Sequence, residues 1–267
     1  MVETVDDKLV SIIIPTYNRS DYLIKAIHSA LNQTYKNIEV IVVDDNSQDN
    51  TKSRVFEIND KRIKYLKNII NKGGAYSRNI GFKKSKGVFV NFLDDDDILY
   101  PNKIALQIQK FKFSTDERLG VVTCDVKYNR TDIHTIKSNR KKGYIYKDLL
   151  KAYCIFGTET MLIKREFFIP FDIDLKSNQE YDLSIRLSKK CTFDYVPQVL
   201  TEKNESINQV SFNFDKKIGG TKFLFKKYKN EFKDEGIYFY NLIRFFYLLF
   251  KYYVGKYLGL RVYKYLK

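Results

Sequence analysis

The chain has 267 residues, a length that suits one large domain or one domain with an appendage. Lys and Arg number 47 against 32 Asp and Glu, and the formal net charge of +15 favours anionic partners such as nucleotides, nucleic acid or lipid headgroups. The three cysteines are scattered, which argues against a disulfide framework or a zinc site. The first residues form no apolar signal region, and no stretch supplies the ~18 uncharged residues of a membrane-spanning helix, so we expect a cytoplasmic protein.

Short apolar runs alternate with amphipathic segments from residue 9 to residue 93. The runs at 9–14, 38–43, 62–66 and 88–93 predict buried strands. Helices are predicted to begin near Ser20, at Asp49 and after Gly74. This alternation predicts an α/β fold with a parallel sheet and right-handed crossovers. The GxGxxG and P-loop fingerprints are absent, which argues against a dinucleotide dehydrogenase and a P-loop nucleotide site.

Two of the predicted strands end in carboxylates. Asp44 and Asp45 follow the second strand, and Asp94 to Asp97 follow the fourth. Open α/β sheets bind ligands outside the carboxyl ends of their strands, so both groups are expected at one rim. Crowded carboxylates repel one another unless a cation lies between them, and Mg²⁺ or Mn²⁺ favours oxygen ligands. The alternative is a solvated acidic turn that caps a helix beginning at Pro101.

The second half of the chain predicts less regular elements. In chain order they are a helix at 101–113, a strand at 119–125, a mobile loop or irregular hairpin at 127–142, a helix at 146–153, a strand at 160–163, a helix that opens near Asn178 and a strand at 193–199. From about Asp215 the composition shifts to Lys, Phe and Tyr, which predicts a helical appendage.

The ordered motifs carry a resemblance to a known family. They are Ser11–Arg19, Gln33–Glu39, Val43–Ser47, Ser77–Gly81, Phe92–Asp97 and Glu180–Leu187. Together they resemble the family 2 inverting glycosyltransferases of the GT-A fold, over roughly residues 9–205. The resemblance implies a Rossmann-like, mostly parallel sheet flanked by helices. The catalytic domain would span 1–214, with a nucleotide-sugar half at about 1–125 and an acceptor half at about 126–214, followed by the appendage at 215–267.

The resemblance also implies the reaction. A sugar, a hexose or an N-acetylhexosamine, would pass from a nucleotide-diphosphate donor to a hydroxyl of a glycan or lipid-linked saccharide, with inversion, in surface-polysaccharide synthesis. The donor is expected to be a UDP-sugar, and the cofactor Mn²⁺ or Mg²⁺. A metal would stabilise the charge of the diphosphate leaving group.

The resemblance assigns the donor and metal residues. Tyr17 would stack on the donor base and Asp45 would hydrogen-bond it, and Asp96 would be the main metal ligand. Asp94 or Asp95 would reach the ribose or a metal-bound water. Arg78 would contact phosphate or base, or pair structurally with the acidic rim. The donor-binding set is thus Pro15, Tyr17, Asp45, Arg78, Asp94 and Asp95.

Glu180 would be the general base that deprotonates the acceptor hydroxyl. The family most often has an aspartate there, so Asp182 is the nearby alternative. Both residues open a predicted helix, where the helix dipole also favours an acid for structural reasons alone.

The tail at 237–267 is aromatic and basic, and Arg244 and Lys251 interrupt its apolar run. It is predicted to lie in the headgroup plane of the inner face of the cell membrane, or else to pack on the catalytic domain or on a second subunit of a homodimer.

Two alternatives stay open for the whole chain, namely a basic nucleic-acid-binding module and an inactive nucleotide-sugar-binding homologue. Carboxylate-tipped strands disfavour the first, because they would repel phosphate.

Overall fold

The computed structural model describes residues 7–130, 133–138, 140–204 and 213–266. Its strands are Val10–Thr16 (β1), Ile38–Asp44 (β2), Ile63–Lys67 (β3), Phe89–Phe92 (β4), Ile98–Leu99 (β5), Leu119–Arg130 (β6), Ile133–Lys137 (β7), Leu162–Lys164 (β8) and Thr192–Asn204 (β9). Its helices are Ser20–Leu31 (α1), Thr51–Glu57 (α2), Gly74–Lys84 (α3), Lys103–Lys112 (α4), Tyr146–Lys151 (α5), Gln179–Ser188 (α6), Phe214–Lys227 (α7), Lys229–Asp234 (α8) and Tyr238–Tyr265 (α9). Short 3-10 turns at Thr158–Thr160 and Arg165–Phe167 flank β8.

The described strands form one mixed sheet in the order β3-β2-β1-β4-β8-β6-β9-β5, with β7 paired to β6. β3, β2, β1 and β4 are parallel, since a helix carries the chain from each strand back to the start of the next. β8 is antiparallel to both β4 and β6, and β9 runs parallel to β6. The predicted α/β class and the parallel first half of the sheet are confirmed.

Side chains that alternate along the central strand divide the core between two faces. Ile12 and Ile14 pack with α1 and α4 on one face, and Ile13 packs with α5 and α6 on the other. All residues of β1 and β2 are buried, as expected for strands covered on both faces. α1 contributes apolar residues at helical spacing, namely Leu23, Ala26, Ile27, Ala30 and Leu31.

Two strands extend beyond the apolar runs that predicted them. β6 continues to Arg130 and pairs with β7, so the segment near 127–142 contains a hairpin. β9 continues past its predicted end at Val199 to Asn204. Most residues of these extensions are polar, and the parallel pairing of β6 with β9 holds them, with Lys127 3.4 Å from Glu202.

Several predicted element starts are wrong by one or two residues, and three of them have a visible structural context. Val88, predicted inside the fourth strand, is 43% exposed and precedes β4. α2 begins at Thr51 because the Asp49 carboxylate accepts a hydrogen bond from the Thr51 N–H (3.1 Å), which places Asp49 before the helix. α4 begins at Lys103, so Pro101 lies in the preceding turn.

The C-terminal helices pack beside α6. Leu224, Tyr228, Phe232 and Ile237 belong to the same buried cluster as the side chains of α5 and α6. Residues up to Ile237 therefore contribute to the core of the domain.

A buried carboxylate links α6 to the end of α7. Asp182 is fully buried and accepts hydrogen bonds from Arg186 Nε (2.7 Å) and from the Tyr228 hydroxyl (2.7 Å). Lys227 Nζ lies 2.7 Å from the same carboxylate. Since a buried charge is tolerated only when it is paired, Asp182 and its two cations act as one structural unit.

α9 has a packed side and an exposed side. Phe245 stacks on Phe225 of α7 with 4.4 Å between ring centroids, and Asn241 is buried. The helix breaks at Gly259, whose φ of +86° only glycine adopts easily, and the Tyr247 hydroxyl donates to the Leu266 carbonyl at 2.8 Å. Within the described ranges, no helix combines the length and apolar character needed to cross a membrane.

Candidate active site

The carboxyl ends of β1, β2 and β4 meet at one edge of the sheet. β1 lies between the other two strands, with Thr16 opposite Asp44 and Ile13 opposite Phe92. The Asp45 N–H donates to the Thr16 carbonyl at 2.8 Å, which joins the loops after β1 and β2. The acidic residues after β2 and β4 therefore converge, as the sequence predicts.

Asp44 is fully buried and has local partners. Its carboxylate accepts hydrogen bonds from the Ser47 N–H (2.7 Å) and from the Tyr65 hydroxyl. Burial and then Asp44 raise the pKa of Tyr65, which keeps that hydroxyl protonated as a donor. Asp44 thus fixes the turn after β2.

Asp45 ties this turn to the loop before α3. It accepts hydrogen bonds from the N–H groups of Lys72 (3.0 Å) and Gly73 (2.6 Å) and from the Asn68 side chain (2.8 Å). Gly73 has a φ of +87°, a conformation that suits glycine. The Lys72 N–H also lies 3.2 Å from the second carboxylate oxygen, so this loop engages the about four acceptor positions that a carboxylate offers.

Tyr17 lies beside this loop with an accessible ring. Pro15 is buried in β1 opposite Val43, and two residues later Tyr17 is 45% exposed. Asn18 has a φ of 51° and its N–H donates to Ser47 Oγ at 2.9 Å, so the loops after β1 and β2 are held together. An exposed aromatic face beside Asp45 provides a stacking surface for a planar ring.

Two arginines pair with the carboxylates after β4. Arg78 of α3 forms an ion pair with Asp94, and its other Nη is 3.4 Å from Gln179 of α6. Arg19 Nη1 lies 3.2 Å from Asp95 and 3.0 Å from Asp96.

Lys203 contacts three carboxylates of the rim, which we call the inner acids: Asp94, Asp97 and Glu159. Its Nζ is 3.1 Å from Asp97, 3.4 Å from Glu159 and 3.6 Å from Asp94. The Asn204 N–H donates to Asp97 at 3.1 Å. The carboxylates of Asp94, Asp97 and Glu159 are close enough to share one cation, and the Lys203 ammonium is the cation that they share.

Sequence reasoning missed Arg19, Glu159 and Lys203. The one local signal is Gly157, with a φ of +126°, where a Cβ would collide with the Glu159 carboxylate. A glycine shortly before an isolated acid leaves room for the acidic side chain to fold back over the backbone, because glycine has no Cβ. For Lys203 there is no such signal, because it reaches the rim only through the extended β9.

Carboxylates outnumber cations here. Six described carboxylates belong to this region, against three cations: Asp94, Asp95, Asp96, Asp97, Glu159 and Glu180 with Arg19, Arg78 and Lys203. Burial and the Asp96 charge raise the pKa of Asp95 to about 6, although Arg19 and the Thr16 hydroxyl (2.8 Å) oppose the shift.

The inner acids show the same shortage of positive charge. Burial raises the pKa of Glu159 to about 7 against the opposing effect of Lys203, and burial likewise raises the pKa of Asp97. Only Asp94 is shifted the other way. Although burial acts to raise it, Arg78 and Lys203 lower the pKa of Asp94 to about 2.

The first turn of α6 faces this rim. Glu180 is half-buried, and it is close enough to Arg78 to add, after Asp94, to the charges that raise the pKa of Arg78 against the effect of burial. Asp182 lies one half-turn further along α6 and points away, toward Arg186 and Lys227. The structure therefore places Glu180 at the rim and Asp182 in the packing against α7.

The donor set of the rim suits a hard divalent cation. All the candidate ligands are carboxylate oxygens, which Mg²⁺ and Mn²⁺ prefer. Among the described residues, the buried Glu159 Oε1 has no hydrogen-bond partner. Burial raises the pKa values of Asp95 and Glu159, and the nearby Arg19 and Lys203 do not offset it. The residues present thus fit the metal that the resemblance implies.

Comparisons with known proteins agree with this geometry. The family model for glycosyl transferase family 2 matches residues 11–171. The UDP-Glc:alpha-D-GlcNAc-diphosphoundecaprenol beta-1,3-glucosyltransferase WfgD of Escherichia coli is 35% identical over 191 residues, which cover 69% of this chain and 71% of the relative.

Solved structures share the fold. The chain matches S. aureus TarS 1-349 in complex with UDP at a TM-score of 0.64 and 20% identity, covering 82% of this chain and 71% of that one. It matches the mannosyltransferase PcManGT from Pyrobaculum calidifontis, in complex with GDP-Man and Mn²⁺, at a TM-score of 0.63 and 20% identity, covering 90% and 71%. The family model, which spans more than half of the chain, and the 35% identical relative confirm the resemblance: this chain belongs to glycosyl transferase family 2, with a GT-A fold, and is a sugar-transferring enzyme.

Proposed function

We propose that this protein transfers a sugar from a UDP-sugar to a hydroxyl of a lipid-linked saccharide, in a metal-dependent reaction that inverts the anomeric carbon. The observation that carries the proposal is the excess of buried carboxylates at the rim, between the exposed Tyr17 ring and Glu180. The printed name of WfgD gives a UDP-Glc donor and a diphosphoundecaprenol-linked acceptor, and TarS was solved with UDP, which supports this choice of substrates.

The loops after β1 and β2 would bind the donor base. Tyr17 would stack on it, with the buried Pro15 fixing the start of the loop. Asp45 would accept a hydrogen bond from the uracil N–H in place of the longer of its two contacts with the Lys72 N–H. Arg78 is paired with Asp94; Arg78 would contact the phosphates or the base, and Asp94 or Asp95 would reach the ribose or a metal-bound water.

Asp96 would be the main metal ligand, with Asp95 and Asp94 beside it. A bound divalent cation would supply electrostatic stabilisation of the departing diphosphate. Arg19 holds the Asp95 and Asp96 carboxylates side by side. It therefore preorganises them for a metal ion and also competes with that ion for them. Lys203 is shared by the inner acids Asp94, Asp97 and Glu159, whereas Asp96 lies on the outer side beside Arg19.

Glu180 would take the proton from the acceptor hydroxyl. It is half-buried at the rim, whereas Asp182 is fully buried and engaged by two cations and a tyrosine hydroxyl. A base on the face opposite the leaving group favours in-line attack by the hydroxyl, and one displacement inverts the anomeric carbon.

Nucleotide release from a panel of nucleotide sugars tests the proposal. With Mn²⁺ and a lipid-linked saccharide acceptor, UDP release is expected from one or a few UDP-sugars, and excess chelator is expected to abolish it. Asp60→Asn serves as a matched control, because Asp60 pairs with Arg62 before β3, at the opposite edge of the sheet. Undiminished turnover in chelator would contradict the metal role. Absence of release from all nucleotide sugars would favour an inactive binding homologue.

The exposed side of α9 supports a location at the membrane surface. Apolar side chains recur along it at spacings of three, four or seven residues and are 60–77% exposed, namely Phe239, Ile243, Phe246, Phe250 and Tyr257. Residues 213–266 contain twelve Lys and Arg against four Asp and Glu. An apolar stripe with a basic surround fits an anionic lipid surface, and a lipid-linked acceptor would be presented there.

Co-sedimentation with anionic liposomes at low salt tests this location. The unmodified protein is expected to sediment with the vesicles, and Phe246→Glu with Phe250→Glu to stay in solution. Phe113→Glu is the matched control, since Phe113 is 77% exposed at the end of α4. If the intact protein ignores the vesicles and light scattering shows a dimer that the same two changes dissociate, the stripe is a homodimer contact.

A further inference from the structure

A cavity of about 200 Å³ lies between α6, α7 and α9. Its walls are largely aromatic and aliphatic, and they include Tyr153, Tyr181, Leu224, Phe225, Leu248 and Tyr252. The volume exceeds the ~150 Å³ at which an apolar protein cavity binds benzene. A short apolar segment therefore fits inside.

One cation lies in this apolar wall. The Arg244 guanidinium lies over the Tyr181 ring, 5.8 Å from its centroid, and lines the cavity. None of the ion pairs formed by the described residues includes Arg244, whereas Lys227 and Arg186 nearby are both paired with Asp182. A half-buried guanidinium with no carboxylate beside it is suited to an anion from outside the protein.

The cavity adjoins both the candidate base and the exposed stripe of α9. Tyr181, which follows Glu180, packs on Tyr153 with 5.2 Å between ring centroids, and the Tyr153 hydroxyl accepts a hydrogen bond from the Gly157 N–H (3.0 Å) ahead of Glu159. On the outer side, Phe245 lines the cavity while the next residue, Phe246, is exposed. The cavity thus lies between the acidic rim and the surface proposed to contact lipid.

We propose that this cavity binds the first part of the prenyl chain of a prenyl-diphosphate-linked acceptor, with Arg244 contacting its phosphate. The inference rests on the proposed function and adds the place where the acceptor lipid is held. It also assigns a role to a cation and a cavity that the transfer chemistry leaves unused.

Calorimetric titration with farnesyl diphosphate tests the inference. It is done in chelator, so that the diphosphate cannot bind through a metal at the acidic rim. Farnesyl diphosphate is expected to bind more tightly than inorganic diphosphate or farnesol, because both the chain and the charge contribute. Arg244→Gln is expected to weaken its binding about 10-fold or more, the scale of a lost charge-assisted hydrogen bond.

Two further variants make the test independent of how Arg244→Gln folds. Leu248→Trp fills the cavity and is expected to weaken farnesyl diphosphate binding to a similar degree. Lys251→Gln removes one charge from the same helix without lining the cavity, and is expected to bind farnesyl diphosphate like the unmodified protein. A separate titration with UDP and Mn²⁺ reports the donor site in each variant.

Equal binding of farnesyl diphosphate by the unmodified protein, Arg244→Gln and Leu248→Trp would overturn the inference. No binding by the unmodified protein, while UDP still binds, would overturn it and leave the proposed function intact. Loss of both ligands from the unmodified protein would contradict the proposed function itself.

Discussion

The two acidic strand ends of this fold differ in how their charge is met. After β2, Asp44 and Asp45 accept hydrogen bonds mainly from neutral donors, namely backbone N–H groups, an amide and a hydroxyl, and Lys67 Nζ lies 3.9 Å from Asp44. After β4, Asp94 to Asp97 pair mainly with the charged side chains of Arg19, Arg78 and Lys203, which are too few.

This difference separates carboxylates that position a loop from carboxylates that take part in the chemistry. A carboxylate whose hydrogen-bond donors are neutral and fixed in position holds its loop in one geometry, because each donor has only one acceptor that it can bind. Carboxylates that share too few cations have raised pKa values and gain most when another cation arrives. The same rule distinguishes Asp182, which is fully paired, from Glu180 on the same helix. Each prediction below removes one carboxylate from one side of this comparison.

Asp96→Asn is expected to have the largest effect. It removes the proposed metal ligand on the outer side of the rim, and turnover should fall by about 10²–10³-fold or more, the scale seen when a main electrostatic stabiliser is lost. The protein should remain folded, because a repelling charge has been removed. Steady-state UDP release at saturating Mn²⁺, with Asp60→Asn as the control, measures the effect. Near-normal turnover would assign the metal to other residues.

Glu180→Gln is expected to lower turnover by ~10²-fold with donor affinity unchanged, because it removes the base and keeps the shape. Asp182→Asn should instead lower the melting temperature, since Lys227 and Arg186 lose their charged partner. Turnover and thermal melts of both variants separate the two roles. A mild Glu180→Gln together with a stable but inactive Asp182→Asn would reverse the assignment.

Asp45→Asn is expected to weaken UDP binding by roughly 10-fold, the scale of one charge-assisted hydrogen bond. The new amide cannot accept all of the hydrogen bonds from the loop before α3 and the base. UDP, GDP and ADP are compared by calorimetry with Mn²⁺, and the preference for UDP should shrink. Asp44→Asn is the neighbouring control, which should affect stability more than base preference. Equal binding of the three nucleotides by the unmodified protein would remove the proposed base recognition.

The smallest effect is the pH dependence of stability in chelator. The pKa of Glu159 is about 7 when folded against an ordinary value of 4.5, so its contribution to stability is present at low pH and is lost as the pH rises through 7. The pKa of Asp94 is lowered to about 2, so the protonation of Asp94 changes the stability only below pH 4. The melting temperature should therefore fall by a few degrees between pH 5 and pH 8, since 1 kcal/mol corresponds to about 2–4 °C. Glu159→Gln should flatten this slope, and an unchanged slope would contradict the charge shortage.

The sequence predicted the parts of the site that lie on local patterns. Buried β-branched runs locate β1, β2 and β4, and acids that follow such runs must lie at the strand ends. Asp45 and Asp96 could be placed at the rim in this way, whereas Glu180 could be named only through the family resemblance, and the structure brings their loops and helix to one rim. Their individual roles remain predictions.

The neutralising cations could not be predicted. Lys203 contacts residues more than one hundred positions earlier, and the contact depends on β9 pairing in parallel with β6 along its polar extension. No periodicity in the sequence specifies such a pairing, because the extension has no apolar run. Arg19 was visible as part of a motif, but its pairing with two carboxylates depends on the turn after β1.

The buried pair of Asp182 with Lys227 bears on how the chain is made. The carboxylate and its cation are separated by 45 residues, and neither is tolerated alone in the interior. During synthesis, which proceeds from the N-terminus, α6 cannot take its final packing until Lys227 and Tyr228 have left the ribosome. A product truncated at residue 214 would keep every residue named for donor binding and catalysis, but of the three partners of the buried Asp182 it would keep only Arg186 and lose Lys227 and Tyr228. A shortened chain meant to fold without α9 should therefore end after Ile237, the last residue of the buried cluster that contains α6.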